Sequence, residues 1–409
     1  METAIDFHHV SFAYPNHPLS LTDITVQFAR GRKTAIIGPN GAGKTTLLLL
    51  CNGTLRPDRG IVSVEGLPIR YDSRSLRDVR KRVGMVFQNS DSQIIAPTVY
   101  QDVAFGPLNL GMSPEQIQKA VSDALYAVGL AGYEKRPAHY LSGGEKKRVA
   151  IAGVLAMEPE ILIFDEPTTA LDPAGAAEMV DLLDELQAAG KTLIISTHDT
   201  DLARRWADEV VLMTDGIVLC QDPPQQVFRD HSLVKKARLI LPPLLELYQE
   251  LSTRGILNGG PPAGVPEMAH GIEQAVGLRE RQTGSIFLAV VESVDPHTIR
   301  ELLRTGKAVR SGGMGTRAKL FAEQTGIALD FTSGVIDKCL LRALLGEDTL
   351  ILTIAAMEGQ VRHRVGSFCD ENRVRIDLIP VTRVLEPENT SLKVFPSEKS
   401  LDEADRPFR

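Results

Sequence analysis

Short apolar runs alternate with stretches of helical spacing along the first half of the chain. Phe7 to Phe12 and Leu21 to Phe28 read as strands of an antiparallel piece. Lys33-Thr34-Ala35-Ile36-Ile37 is a brief apolar run that stops at a Gly-rich turn, and Thr45 to Cys51 follows as a helix. Ile161 to Phe164 and Thr192 to Ser196 are candidates for buried strands. Between them, Ala174 to Ala189 has helical spacing and ends at Gly190, a residue suited to the left-handed turn that closes a helix. Strands alternating with helices predict a parallel α/β core.

The second half repeats the alternation without repeating the sequence. A Pro-started amphipathic helix is expected over Leu241 to Leu251. Gly255 to Pro266 is the richest Gly/Pro stretch and reads as a loop or linker. After a helix near Pro266 to Gly277, Ser285 to Val291 is an apolar strand. Asp295 to Arg304 is a helix with Asp295 as N-cap and Pro296 at its first position. Lys307 to Arg310 is expected as a strand and Thr316 to Thr325 as a helix closed by Gly326. Ile327 to Phe331 then reads as a strand, Gly334 to Leu345 as a helix closed by Gly346, and Thr349 to Ala355 as a strand. The expected organisation is a large α/β domain over 1–230, a helical extension and Gly/Pro-rich linker over 231–283, and a small α/β domain with a mostly parallel sheet over 284–386. A polar tail, expected to be disordered, fills 387–409.

Composition narrows the class. A chain of 409 residues has room for two or three domains. Forty-five Lys and Arg against 52 Asp and Glu give a net charge of −7, so there is no whole-chain attraction for nucleic acid or anionic lipid. No apolar run approaches the ~20 residues that span a bilayer. The first ten residues lack the apolar core of a secretory leader. The four cysteines, Cys51, Cys220, Cys339 and Cys369, are far apart with no CxxC, which argues against a disulfide framework or zinc knuckle and for a reducing cytosol.

Candidate chemistry is concentrated in the first 200 residues. Gly38-Pro39-Asn40-Gly41-Ala42-Gly43-Lys44-Thr45 fits G-x-x-x-x-G-K-[ST] between a predicted strand and a predicted helix. Glycines let successive backbone N–H groups face an anion, and the helix dipole adds positive potential there. Lys44 supplies a charge for the β- and γ-phosphates, and the Thr45 hydroxyl suits Mg²⁺, which prefers oxygen ligands. The apolar strand Ile161 to Phe164 runs into Asp165 and Glu166, placing two carboxylates at the carboxyl edge of the sheet beside that loop. Asp165 suits the Mg²⁺ shell. Glu166 suits an attacking water, because phosphoryl transfer depends on in-line positioning. Leu141-Ser142-Gly143-Gly144-Glu145 precedes a helix and forms a second Gly-rich helix N-terminus. One nucleotide does not need both sites on one chain, whereas two chains arranged head to tail would use both.

These segments occur in the order of ATP-binding cassette (ABC) ATPases, which the chain resembles over roughly residues 3–230. The likeness extends to Ala170-Leu171-Asp172, Ser196-Thr197-His198-Asp199, Gln88 after Met85-Val86-Phe87, and Tyr14 in Phe12-Ala13-Tyr14. The resemblance implies a P-loop cassette fold with a RecA-like core, an antiparallel β piece and a helical subdomain. It implies two cassettes enclosing two ATP, each ATP held by Tyr14, Gly38 to Thr45 and Thr46 of one chain and by Ser142, Gly143 and Gly144 of the other. In that reading Glu166 is the general base or water anchor and His198 contacts the γ-phosphate. Gln88 senses Mg²⁺, with Thr45 and Asp165 as further Mg²⁺ ligands, and Asp172 communicates across the dimer. The sequence departs from many relatives in having Glu145 where they have Gln.

Phe87 to Val99, Asp102 to Gly111, Pro137 to Tyr140 and Val149 to Met157 are most similar to the ATPases of energy-coupling-factor importers, the cobalt/nickel type in particular. That resemblance implies a segment near Ser92 to Ile95 that contacts an integral membrane scaffold, a separate membrane subunit that binds a trace metal or vitamin, and a peripheral position on the cytoplasmic face of the membrane. The second cassette is a copy or a paralogue. Two rival readings are a soluble ATPase of DNA repair or translation and an exporter ATPase. Too few residues separate Lys44 from Ser142 for the long coiled coil of repair ATPases, and translation ATPases carry two cassettes where this chain has one. The segment around Gln93 disfavours an exporter. Three features remain outside the resemblance. Ser311 to Arg317 is either an anion site or, more simply, a tight βα turn. Arg362-His363-Arg364 suits an acidic ligand or a solvated turn. His8-His9 and His363 with Cys369 lack metal-ligand spacing and read as ordinary residues. The small domain is expected to be a regulatory or dimer-stabilising module without a catalytic triad.

Overall fold

Three β-sheets organise the residues described by the computed structural model, which are 2–16, 19–277 and 282–381. The first is antiparallel and places Leu19–Ala29, Thr3–Ala13, Arg59–Val64 and Leu67–Pro68 side by side in that order. The second has six strands, in the order Ile217–Asp222, Glu209–Thr214, Lys33–Ile37, Thr192–Thr197, Ile161–Asp165, Val83–Val86. Its first pair is antiparallel and the other neighbours are parallel.

Alternate side chains of the six-stranded sheet enter different cores. Ala35, Ile37, Leu162, Phe164, Leu193 and Ile195 face a helical layer, whereas Ile36, Ile161, Ile163 and Ile194 pack with the antiparallel sheet. Both faces are therefore buried, which is why these strands read as unbroken apolar runs. The helix Lys44–Cys51 buries Leu47, Leu48, Leu50 and Cys51 in the core shared with the antiparallel sheet. The helices Val99–Asn109, Pro114–Ala127 and Gly143–Leu155 pack on one another as a helical piece beside the sheet. This is the ABC cassette form of the P-loop fold, joined to a parallel-sheet region.

That third sheet orders Arg310–Gly313, Thr349–Thr353, Ile286–Val290 and Leu378–Pro380, all parallel, with a separate apolar core on each face. Asp295 caps the helix Pro296–Arg304 as expected, accepting from the His297 N–H at 3.0 Å. Two strand expectations need correction. The strand expected at Lys307 to Arg310 lies instead at Arg310–Gly313. Its glycines are there for packing: a Cβ on Gly312 would come within 2.4 Å of Val335 Cγ1, and one on Gly313 within 2.6 Å of Leu329 Cδ1. Ile327 to Phe331 is not a strand. It runs irregularly beside that edge, with one bridge from Phe331 to Gly312 and with the Asp330 carboxylate accepting from the Ser311 N–H. The helix Glu358–Asn372 and the strand Leu378–Pro380 were not anticipated.

In the expected linker, Val265 and Pro266 already belong to the helix Val265–Ala275. Arg204, on the helix Thr200–Trp206, donates to the carbonyls of Pro262 and Ala263 and ties this connection to the larger unit. Arg364 is engaged internally with Glu267 and Asp337, and Arg362 with Glu358. Arg362 and Arg364 are therefore engaged in ion pairs, and 362–364 lies within the helix Glu358–Asn372 and not in a turn. His9 pairs with Asp23 at 2.7 Å. The polar tail 387–409 and the end of the predicted small domain, 382–386, lie outside the described residues. Among the described residues no helix is long and apolar enough to cross a membrane.

Candidate active site

The strand Lys33–Ile37 ends against the loop 38–43, and the helix Lys44–Cys51 starts from Gly43. Gly43 has φ of 95°, and a Cβ there would press on Leu21 Cδ2 at 2.8 Å and the Ser20 carbonyl at 2.9 Å. No side chain caps this helix and no acidic residue stands in its first turn. By contrast, Ser113, Ser142, Asp172 and Asp199 cap the helices that follow them. The free N–H groups of the first turn and the positive end of the dipole are thus left open to an external anion.

Those groups line a cleft of about 900 Å³ together with Tyr14, Pro15, Ser20, Gln88, Asp165, Glu166, Asp215 and Gly216. The cleft takes in Asn40, Gly41, Ala42, Gly43, Lys44, Thr45 and Thr46. Gly38 and Pro39 serve it from behind, because their carbonyls accept from Lys44 Nζ at 2.7 and 3.2 Å. Lys44 Nζ also stands 3.7 Å from Glu166 Oε1. Burial pushes the Lys44 pKa below the usual lysine range, opposed by the charges of Glu166 and Asp165.

The two carboxylates are held from several sides. Thr45 Oγ1 donates to Asp165 Oδ2 at 2.8 Å, and the Ser196 hydroxyl donates to Asp165 Oδ1. The Glu166 N–H donates to Ser196 Oγ at 3.0 Å. Glu166 has φ of 50°, a left-handed turn that redirects its side chain after the strand. Thr169 Oγ1 donates to Glu166 Oε2 at 3.1 Å, and His198 Nδ1 lies 3.0 Å from the same oxygen. Lys147, 3% exposed, donates from Nζ to the carbonyls of Glu166 at 3.0 Å and Thr169 at 3.3 Å. Burial lowers its pKa to about 8. Such a clamped carboxylate beside an anion-binding turn can orient a nucleophile toward a bound phosphate.

Ser142, Gly143, Gly144 and Asp172 are not part of this cleft. Ser142 and Glu145 form a capping box at the start of the helix Gly143–Leu155, with Glu145 Oε2 accepting from the Ser142 N–H at 2.8 Å. That backbone bond holds the Glu145 carboxyl below its ordinary range, and Tyr133 donates to its other oxygen at 3.0 Å. Ser142, Gly143 and Asp172 are exposed.

Residues 21–169 match the family model for the ABC transporter. The chain is 48% identical over 393 residues to the energy-coupling factor transporter ATP-binding protein EcfA2 of Methanospirillum hungatei JF-1, an alignment covering 95% of this chain and 98% of that protein. The chain belongs to the ATP-binding proteins of energy-coupling factor transporters. It is 51% identical over 243 residues to EcfA of Methanocaldococcus jannaschii, covering 59% of this chain and 87% of that one. Among solved structures, cbiO1 from Clostridium perfringens, part of the ABC transporter complex cbiONQ, aligns with a TM-score of 0.54 and 40% identity, over 61% of this chain and all of that one. As a member of this family the chain is an ATPase.

Several residues of this energy-coupling factor ATPase site were not anticipated: Pro15, Ser20, Asp215 and Gly216 in the cleft wall, and Ser196, Thr169 and Lys147 around the carboxylates. Ser196 lies within a recognised motif and Pro15, Lys147 and Thr169 lie beside one, but nothing in their spacing shows which way they point. Gln93 also takes an unexpected part. Its Oε1 accepts from the Phe87 N–H at 2.9 Å and its Nε2 donates to the Met85 carbonyl at 3.3 Å, so it braces the segment leading to Gln88.

Replacing Lys147 by Met removes the buried donor to the Thr169 carbonyl and leaves the Glu166 carbonyl only the Thr169 N–H at 3.2 Å. We expect a loss of about 1–3 kcal/mol in chemical denaturation. We also expect lower turnover with an unchanged ATP KM, because Lys147 does not line the cleft.

Proposed function

We propose that the chain is the motor subunit of an importer, closing head to tail on a second cassette so that each ATP lies between the P-loop of one chain and Ser142 to Gly144 of the other. The observation that carries this is the uncapped first turn at Lys44, facing Asp165 and Glu166, while the second Gly-rich helix start stands exposed outside the cleft. In this reading Tyr14 stacks on the base, Gly38 to Thr46 hold the phosphates, and Lys44 exchanges its own loop carbonyls for phosphate oxygens. Glu166 orients water and accepts its proton, His198 steadies Glu166 and meets the γ-phosphate, and Asp172 reports to the other chain. Thr45, Asp165 and Gln88 present the oxygen donors that Mg²⁺ prefers along one cleft and would hold it. Bound there, the ion would neutralise charge on the phosphate oxygens.

The membrane scaffold is proposed to dock beside Gln88. Ile95, Phe105 and Leu108 are 65%, 50% and 63% exposed, whereas Gln93 is turned inward. The likeness of Phe87 to Val99 and Asp102 to Gly111 to cobalt/nickel-type importers supports uptake of a trace metal, cobalt or nickel, or of a vitamin, bound by a membrane subunit. The ATPase is then peripheral on the cytoplasmic face. We take 1–230 as the ATPase domain, 231–283 as the extension and linker, and 284–386 as a regulatory or dimer-stabilising domain.

Glu166→Gln keeps the shape of the side chain and removes the charge that positions water. It should bind ATP, lose nearly all turnover, and elute at doubled mass in gel filtration with ATP. Near-normal hydrolysis would refute the role of Glu166. Lys44→Ala should instead weaken nucleotide binding. Serine at Ile95, Phe105 and Leu108 together should leave ATP binding intact and reduce recovery of the chain with membranes carrying the scaffold. Unchanged recovery would move the docking surface elsewhere.

A further inference from the structure

The helix Pro173–Ala188 begins at Asp172 and turns its apolar face, with Met179, Leu182, Leu183 and Leu186, into the cassette core. Its other face carries Glu178, Asp181 and Glu185 at helical spacing, and each has a partner outside the helix. Glu178 pairs with Arg148 of the helix that starts at Gly143. Asp181 pairs with Lys319 and Glu185 accepts the Thr316 N–H, both partners belonging to the C-terminal sheet region. Glu185 is 9% exposed, and Asp181 and Lys319 are mostly buried.

Thr316 opens the helix Thr316–Thr325, at the carboxyl end of the strand Arg310–Gly313. In a parallel α/β sheet that edge, with its helix N-terminus, is where an anion is held. Here the anion is the cassette's own carboxylate. Gly315, with φ of 93°, makes room for it: a Cβ there would lie 2.8 Å from Glu185 Oε1 and 3.2 Å from Met357 Sδ. Thr316 also abuts the helical piece that contains Gly143–Leu155, because a Cβ on Gly129 would meet Thr316 Cγ2 at 3.1 Å and an Arg148 guanidinium nitrogen at 3.4 Å. The Ser311 to Arg317 turn is therefore an interdomain joint. It touches the one helix that starts at Asp172 and is itself paired to the helix that starts beside Ser142.

We propose that Glu185 and the Asp181–Lys319 pair are positioning residues for ATP hydrolysis: through them the C-terminal unit fixes the outer face of the helix Pro173–Ala188 and so the placement of Asp172 at its start. The inference rests on Asp172 acting across a cassette dimer. None of these residues lines the nucleotide cleft, so their effect falls on assembly and turnover and not on the first binding of ATP.

The test uses full-length chains. In the absence of nucleotide, Lys319→Glu and Asp181→Lys should each speed amide hydrogen exchange in the segment 168–178 by about threefold to tenfold. Both should lower kcat by a similar factor with an unchanged ATP KM. The doubly reversed chain, D181K with K319E, should recover both. Glu185→Gln, which keeps size and an acceptor oxygen, should give a smaller effect of the same sign and covers the case in which a reversed chain does not fold. Exchange confined to 310–325 with wild-type turnover would overturn the proposal. So would wild-type exchange and turnover in Glu185→Gln. The nucleotide-free exchange needs no dimer, so it stands or falls apart from the head-to-tail reading, which the Glu166→Gln elution decides.

Discussion

The turn from the strand Lys33–Ile37 into the helix Lys44–Cys51 imposes the constraint on which the rest of the site depends. A helix start without a cap leaves several N–H groups unpaired, and burial makes that costly. Gly43 lets the backbone take the turn, and the chain provides no carboxylate in the first turn to quench it. Lys44, also buried, must satisfy its charge on the carbonyls of Gly38 and Pro39 while two carboxylates stand across from it. The proposed ATP with Mg²⁺ would complete both sides at once. That logic explains why the sheet brings Lys33–Ile37, Thr192–Thr197 and Ile161–Asp165 next to one another: the carboxyl ends of these three strands lead to the phosphate loop, to His198 and to the carboxylates.

The same strand ends are tied to elements outside the cleft. Ser196 bridges Asp165 and the Glu166 backbone, so two adjacent strand ends move as one. Lys147 joins the helix that follows Ser142 to the Glu166 and Thr169 carbonyls. A chain that uses Ser142 at its partner's nucleotide and Glu166 at its own therefore has a direct, buried link between the two. The helix Pro173–Ala188 extends the link to the C-terminal sheet through Glu185 and Asp181. Arg204 makes a second attachment from the helix after His198. Both attachments belong to helices that begin at site loops, and no described residue beyond Gly216 lines the cleft.

Much of the cassette was legible because its chemistry is local. Gly38 to Thr45, Asp165 with Glu166, and Ser142 to Gly144 are contiguous segments whose spacing carries their geometry. The strands around them are apolar on both faces and could not be missed. The C-terminal sheet was legible only in outline. Gly312 and Gly313 read as a turn, yet they sit in a strand because Val335 and Leu329 occupy the space a side chain would fill. Residues 327–331 have strand composition but spend their hydrogen bonds on Ser311 and Gly313 without forming a ladder. Gln93 read as part of a segment contacting the membrane scaffold, because nothing in sequence shows its amide returning to Phe87 and Met85. Glu185 was least visible of all. Its partner Thr316 lies 131 residues away, and pairing over such a separation leaves no periodic trace.

In the proposed assembly a second chain completes the nucleotide site with its Ser142 segment. Ser142→Cys changes one atom at an exposed position. Cys51 and Cys339 are buried, and the half-buried Cys220 and Cys369 are replaced by Ser in the same chain, so labelling with a maleimide reads position 142. With a slowly hydrolysed ATP analogue, the labelling rate at residue 142 should fall as protein concentration rises into the dimer range. It should stay high at any concentration without nucleotide. A labelling rate that ignores both nucleotide and protein concentration, in a chain shown to bind the analogue, would contradict the account.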